Sequence, residues 1–145
     1  MSIAQTTTTS FRVELFEAVH DFTTDTFKIA LYTGAADIGP TTTAYTTAGE
    51  TSGTGYTAGG NTLTVSTQPT AANDTSGIPT AYVGFANTSW TSADFTARGA
   101  LIYNSSKSNK SVAVLDFGAD KLVSGTDFTI QFPTADANSA IVRIS

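Results

Sequence analysis

One histidine, twelve carboxylates and no cysteine limit the chemistry this chain can carry. A Ser–His–Asp arrangement would have to use His20. That residue sits beside Asp21 in "FRVELFEAVHDF", and no nucleophile-elbow pattern accompanies it. Its expected role is that of a residue at a helix end, near the negative end of the dipole. Two stretches pair their acids closely, "DFTTD" (21–25) and "DFGAD" (116–120). A calcium loop needs more oxygen ligands at short spacing, as in D-x-[DN]-x-[DN]-G. Turn and cap roles are expected for both. A carboxylate pair for glycoside hydrolysis is defined by distance in space, which spacing in the chain does not give.

"GETSGTGYTAGGNTL" (49–63) carries five glycines and no positive charge. A phosphate-cradling loop needs a helix N-terminus after it and usually a lysine. Here a strand pattern follows, and no Lys or Arg occurs between Lys28 and Arg98. The expected role is architectural, with Gly59-Gly60 a tight corner into the next strand. No catalytic residue, metal or cofactor is expected.

The aromatic residues offer more. Tyr32, Tyr45, Tyr56, Tyr82, Trp90 and Tyr103 stand among Thr and Ser. Tyr and Trp suit interfaces, because a rigid amphipathic ring buries much area. Tyr is also common in strands. Tyr45 and Tyr56 fall in a long irregular stretch, and are the expected contact residues.

These residues need a scaffold. A chain of 145 residues is the size of one domain. Only 13% of residues are charged and 40% are hydrophobic, a balance that argues against disorder. The net charge of −5 disfavours nucleic acid and anionic membranes. No stretch has the length and apolarity of a signal peptide or membrane span, so a soluble protein made in a cytoplasm is expected.

Phe11, Leu15, Val19 and Phe22 recur at helical spacing, widened by Phe16. One helix is predicted over 11–21, with Ser10 as its N-cap. The period then changes to that of strands, at 27–32, 61–67, 80–86, 99–104, 111–118, 127–132 and 140–145. Weaker runs lie at 43–47 and 94–99. The longest irregular stretches are 33–60 and 68–79, and loops so long are often functional. Several strands are apolar on both faces, which suits a sheet packed between layers. The fold class is all-β: a jelly-roll-like β-sandwich of about seven to nine strands with one short N-terminal helix, over 11–145. Residues 1–10 form an uncharged arm ahead of it.

Five motifs in order carry a resemblance across about residues 11–133. They are LYT (31–33), AYTTAGE (44–50), GYTAGG (55–60), the block from Trp90 to Tyr103 (W-x-x-x-x-F-x-A-R-G-A-x-I-Y), and LDFG (115–118). The chain resembles a group of small structural proteins of tailed bacteriophage particles. The resemblance implies a capsid cement or decoration protein of jelly-roll type, or else a neck, tail or fibre-base component. It implies no catalytic residues. The implied partners are the major capsid protein or other virion proteins, and further copies of the chain in a homo-oligomer. The implied location is the outer surface of the shell, away from the genome.

Assembly is expected to use the 1–10 arm, including Thr7 and Thr8, and the 33–60 loop with Tyr45 and Tyr56 as anchors. A third reading, of another class, is a carbohydrate-binding module that stacks sugars on exposed Tyr and Trp.

Overall fold

The structure is a computed structural model that describes residues 2–145. In chain order the elements are β1 (Thr6–Thr7), α1 (Thr9–Phe16), β2 (Phe27–Tyr32), β3 (Asn61–Thr62), β4 (Val65–Asn73), β5 (Pro79–Phe85), β6 (Thr88–Asn104), β7 (Lys110–Ile130) and β8 (Val142–Ile144). They form two antiparallel sheets, one ordered β1-β7-β6-β2-β3 and one ordered β4-β5-β8. The all-β sandwich with one short helix is therefore as the sequence pattern indicates. No helix among the described residues is long and apolar enough to cross a membrane.

Where β2, the end of β6 and the start of β7 lie side by side, the larger sheet is buried on both faces, which explains the doubly apolar strands there. Phe27, Ile29 and Leu31 of β2 point into the main core, as do Ala100 and Ile102 of β6. That core also takes Val83 and Phe85 from the smaller sheet, and Phe11 and Phe22 from the helix and the turn after it. The alternate residues Ala30, Tyr32, Leu101, Tyr103 and Val114 face the other way. No second sheet covers them. Ala36, Ile38 and Tyr45 from the 33–60 stretch do so, with Ile3 of the N-terminal segment.

The N-terminal arm is accordingly part of the domain. Ile38 N–H donates to Ser2 and Ala4 N–H to Ile38, while Thr6 and Thr7 pair with Val114 and Ala113 of β7. An uncharged Thr-rich segment reads as a free arm in sequence, yet β-branched residues serve equally well as an edge strand.

The helix starts and stops earlier than its periodicity suggests. Thr8, not Ser10, is the N-cap, and its Oγ1 accepts from Phe11 N–H. At the other end Val19 N–H donates to Glu14 and Ala18 N–H to Leu15, with Ala18 at φ 57°. This pair of bonds around a left-handed residue is a Schellman stop. It usually uses glycine, so alanine gave no signal. Ending the helix there leaves Phe16 outside the buried stripe, while Phe11 and Phe22 are buried and Leu15 and Val19 half-buried.

Several strands differ in extent. The runs 94–99 and 99–104 are one strand, β6, and 111–118 and most of 127–132 lie in β7, which ends at Ile130. Gly118 and Gly125 have positive φ and sit at register shifts, so "turn" glycines act as bulges in one ladder. Run 61–67 is split between β3 and β4, and 43–47 yields only a bridge between Ala44 and Lys110. Residues 68–79 are not irregular: they form most of the β4–β5 hairpin. Its small polar residues are exposed on both faces, so no alternation marked it.

Candidate functional site

Three polar or apolar constellations stand out. The first organises the 33–60 loop. The corner expected at Gly59-Gly60 is present, and a side chain at Gly60 would collide with the carbonyl of Ile29. That close approach brings Glu50 into the middle of the loop. Its Oε1 accepts from the Tyr56 hydroxyl and from Gly59 N–H, each at 2.7 Å. Its Oε2 accepts from the Tyr45 hydroxyl at 2.7 Å. The Tyr56 oxygen also accepts from Leu31 N–H, and Tyr103 donates to the Gly59 carbonyl. Burial first, then the adjacent Glu50 carboxylate, pushes the Tyr45 and Tyr56 phenols well above their usual range. Both therefore stay protonated donors.

The rings are engaged too. Tyr45 stacks on Tyr103 at 4.8 Å, and Tyr56 packs edge-on against Phe95 at 5.8 Å. The two expected anchors thus brace their own loop, and each is only half-buried. Thr7 and Thr8 are similarly committed. Thr7 lies in β1 and accepts from Arg12 Nε, and Thr8 is fully buried with its Oγ1 2.9 Å from Ser111 Oγ.

The second constellation surrounds His20, whose side chain is buried. Asn104 amide orientation is fixed by Ser106 N–H donating to its oxygen and by its own NH₂ donating to Asp25. His20 Nδ1 therefore accepts from Asn104, and Nε2–H donates to Glu14 at 3.2 Å. Lys110 Nζ reaches the other Glu14 oxygen at 2.8 Å. Burial is the largest single influence on Glu14 and would raise its pKa. The hydrogen bonds from Lys110 and His20 and the charge of Lys110 together outweigh it and hold the carboxyl below its ordinary value. The network pins the end of α1 to the β6–β7 turn, and every member is satisfied from within the chain. Of the acid pairs only 21–25 has the expected turn role, whereas 116–120 lies within strand β7, where the backbone stays paired with β6 and bulges at Gly118. Asp21 accepts from Thr23 N–H and Asp116 from Gly118 N–H.

The third constellation is open. A groove of about 410 Å³ runs between α1 and the smaller sheet, floored by Phe11, Phe22, Val83 and Val142. A continuation of about 630 Å³ passes Leu15, Phe16 and Ile144. Phe16 is 95% exposed and Ile144 56% exposed. Leaving a phenylalanine side chain in water forgoes about 1.5–3 kcal/mol of burial. Among the described residues lining the groove, the only charged side chains are Arg12 and Arg143. Their hydrogen bonds go to Thr6, Thr7 and the Ala137 carbonyl, and no carboxylate pairs with either among the described residues. The alternation of the sequence missed this site because Phe16 was counted into the buried stripe.

Of the rings a sugar platform could use, Trp90 is 3% exposed and packs on Phe128 and Tyr56, Tyr32 and Tyr103 are buried, and Tyr45, Tyr56 and Tyr82 are half-buried. No protein-family model, curated protein or solved structure matches the chain.

Proposed function

We propose that this protein is a non-enzymatic structural component of a tailed-phage particle, a cement or decoration protein on the outer shell that works as an oligomer. The sequence resemblance supplies the particle. One structural observation carries the assembly role: a contiguous apolar groove with Phe16 almost fully exposed beside it. Soluble monomers rarely leave such a patch uncovered, and exposed apolar patches mark contact surfaces. The polar constellations, in contrast, are closed within the chain and serve its own stability.

The test uses purified particles of the phage that encodes the chain. Quantitative mass spectrometry and surface labelling should find it in many copies on the outside of intact particles. A few copies per particle would move it to the neck or tail. Absence from particles would overturn the virion reading altogether.

A further inference from the structure

We infer that the α1–β8 groove is filled by the distal β6–β7 ribbon of a second copy of this chain, in a head-to-tail contact. The inference rests on reading the groove as a contact surface, and adds what occupies it.

The ribbon is the other unfinished part of the molecule. Beyond Asp116, β7 pairs only with β6, and its outer edge carries no further strand. Leu122 on this edge is 75% exposed. Of the exposed large apolar side chains, Val13, Phe16 and Ile144 belong to α1 and β8, Ile78 lies at the β4–β5 turn, and Leu122, the most exposed after Phe16, belongs to the ribbon. One surface is concave and the other a projecting ladder with a single apolar knob.

Their charges are complementary. Around Leu122 the ribbon shows Asp94, Asp120 and Asp127, none of them in an ion pair, against Lys121, while its other cation, Arg98, is paired with Asp116. The groove shows Arg12 and Arg143, both exposed and without a carboxylate partner. In a chain with twelve acids and seven cations, two unpaired arginines on one apolar groove call for an acidic, apolar-tipped occupant. The chain itself contains one. The bulges at Gly118 and Gly125 twist the ribbon edge and oppose plain strand-to-strand addition. Contact through side chains, with Leu122 entering the groove beside Phe16, avoids that obstacle. Because groove and ribbon are different surfaces, the contact is heterologous, and it closes into a ring or continues as a chain of subunits.

Complementation of two surface variants tests this with the full-length protein. Phe16→Asp disables the groove, and Leu122→Asp disables the ribbon. Both positions are exposed, so circular dichroism and melting should match the wild type. The wild type should form oligomers in light scattering and sedimentation, and each variant alone should be monomeric. Mixed at equal concentration, the two variants should form a one-to-one dimer, since one intact groove and one intact ribbon remain. A second groove variant, Arg12→Ser with Arg143→Ser, should weaken assembly at least tenfold and remove most of its salt dependence. Failure of the mixture to pair would indicate a symmetric or unrelated contact and overturn the proposal. A monomeric wild type would overturn it as well. Neither result bears on whether the chain is found on particles, so the virion reading stands or falls separately.

Discussion

Residues 33–60 and the α1–β8 groove both bring aromatic rings to the surface of a sheet, but only the first is closed by the chain itself. In the loop, Tyr45 and Tyr56 each donate to one carboxylate, Glu50, and rest on Tyr103 and Phe95. At the groove, Phe16 touches water on nearly every side, and Arg12 and Arg143 find no acid. A long loop rich in tyrosine is therefore the cover of a second core here. The short helix, which looks like an ordinary scaffold element, carries the unfinished surface. An aromatic residue points to a partner when its ring and its polar tip both lack neighbours.

The largest effect expected is in the loop. Tyr56→Ala removes packing against Trp90 and Phe95 and should cost about 3–5 kcal/mol in denaturant unfolding. A loss below about 1 kcal/mol would mean that the loop does not cover the core as described. Glu50→Ala leaves two phenols and Gly59 N–H without their acceptor, and should cost about 2–4 kcal/mol. Glu50→Gln should recover part of that loss, because an amide oxygen still accepts.

Acidification probes the network that ties the end of α1 to the β6–β7 turn. The Glu14 carboxyl has a folded pKa below its ordinary 4.5. Its contribution is present in full above that ordinary value and is lost as pH falls through the folded value. Thermal melting should therefore drop on acidification below about pH 4.5, and drop less in Glu14→Gln. An equal drop in both would take Glu14 out of the account. A smaller effect is expected at the helix stop. Ala18 holds φ 57°, so Ala18→Gly should raise stability by about 0.5–1 kcal/mol, read as a higher denaturant midpoint. A lower midpoint would show that the stop is not strained.

The same contrast explains what the sequence made legible. Period-two runs such as Phe27–Tyr32 revealed the strands, because burial enforces alternation. Apolar residues on both faces of β6 and β7, at 100–103 and 112–115, correctly implied two covering layers, although the second layer is loop and N-terminal segment. Gly59-Gly60 was readable because only glycine fits so close to Ile29. The single strand β7 was not, since Gly118 and Gly125 signal a turn and a bulge alike. The Glu50 hub was hidden, because it depends on long-range placement of Tyr45, Tyr56 and Gly59 around one side chain. The groove was hidden because Phe16, next to Leu15, reads as a widening of the apolar stripe, although its side chain on α1 is 95% exposed.

The most direct measurement pairs stability with attachment for Phe16→Ser, at the site the chain leaves open. Its side chain is 95% exposed, so melting should stay within about 0.5 kcal/mol of wild type. Added to particles lacking the protein, or expressed during infection, the variant should show strongly reduced occupancy on purified shells. Wild-type occupancy with an unchanged melt would contradict the account, and would return the search for the contact surface to the rest of the molecule.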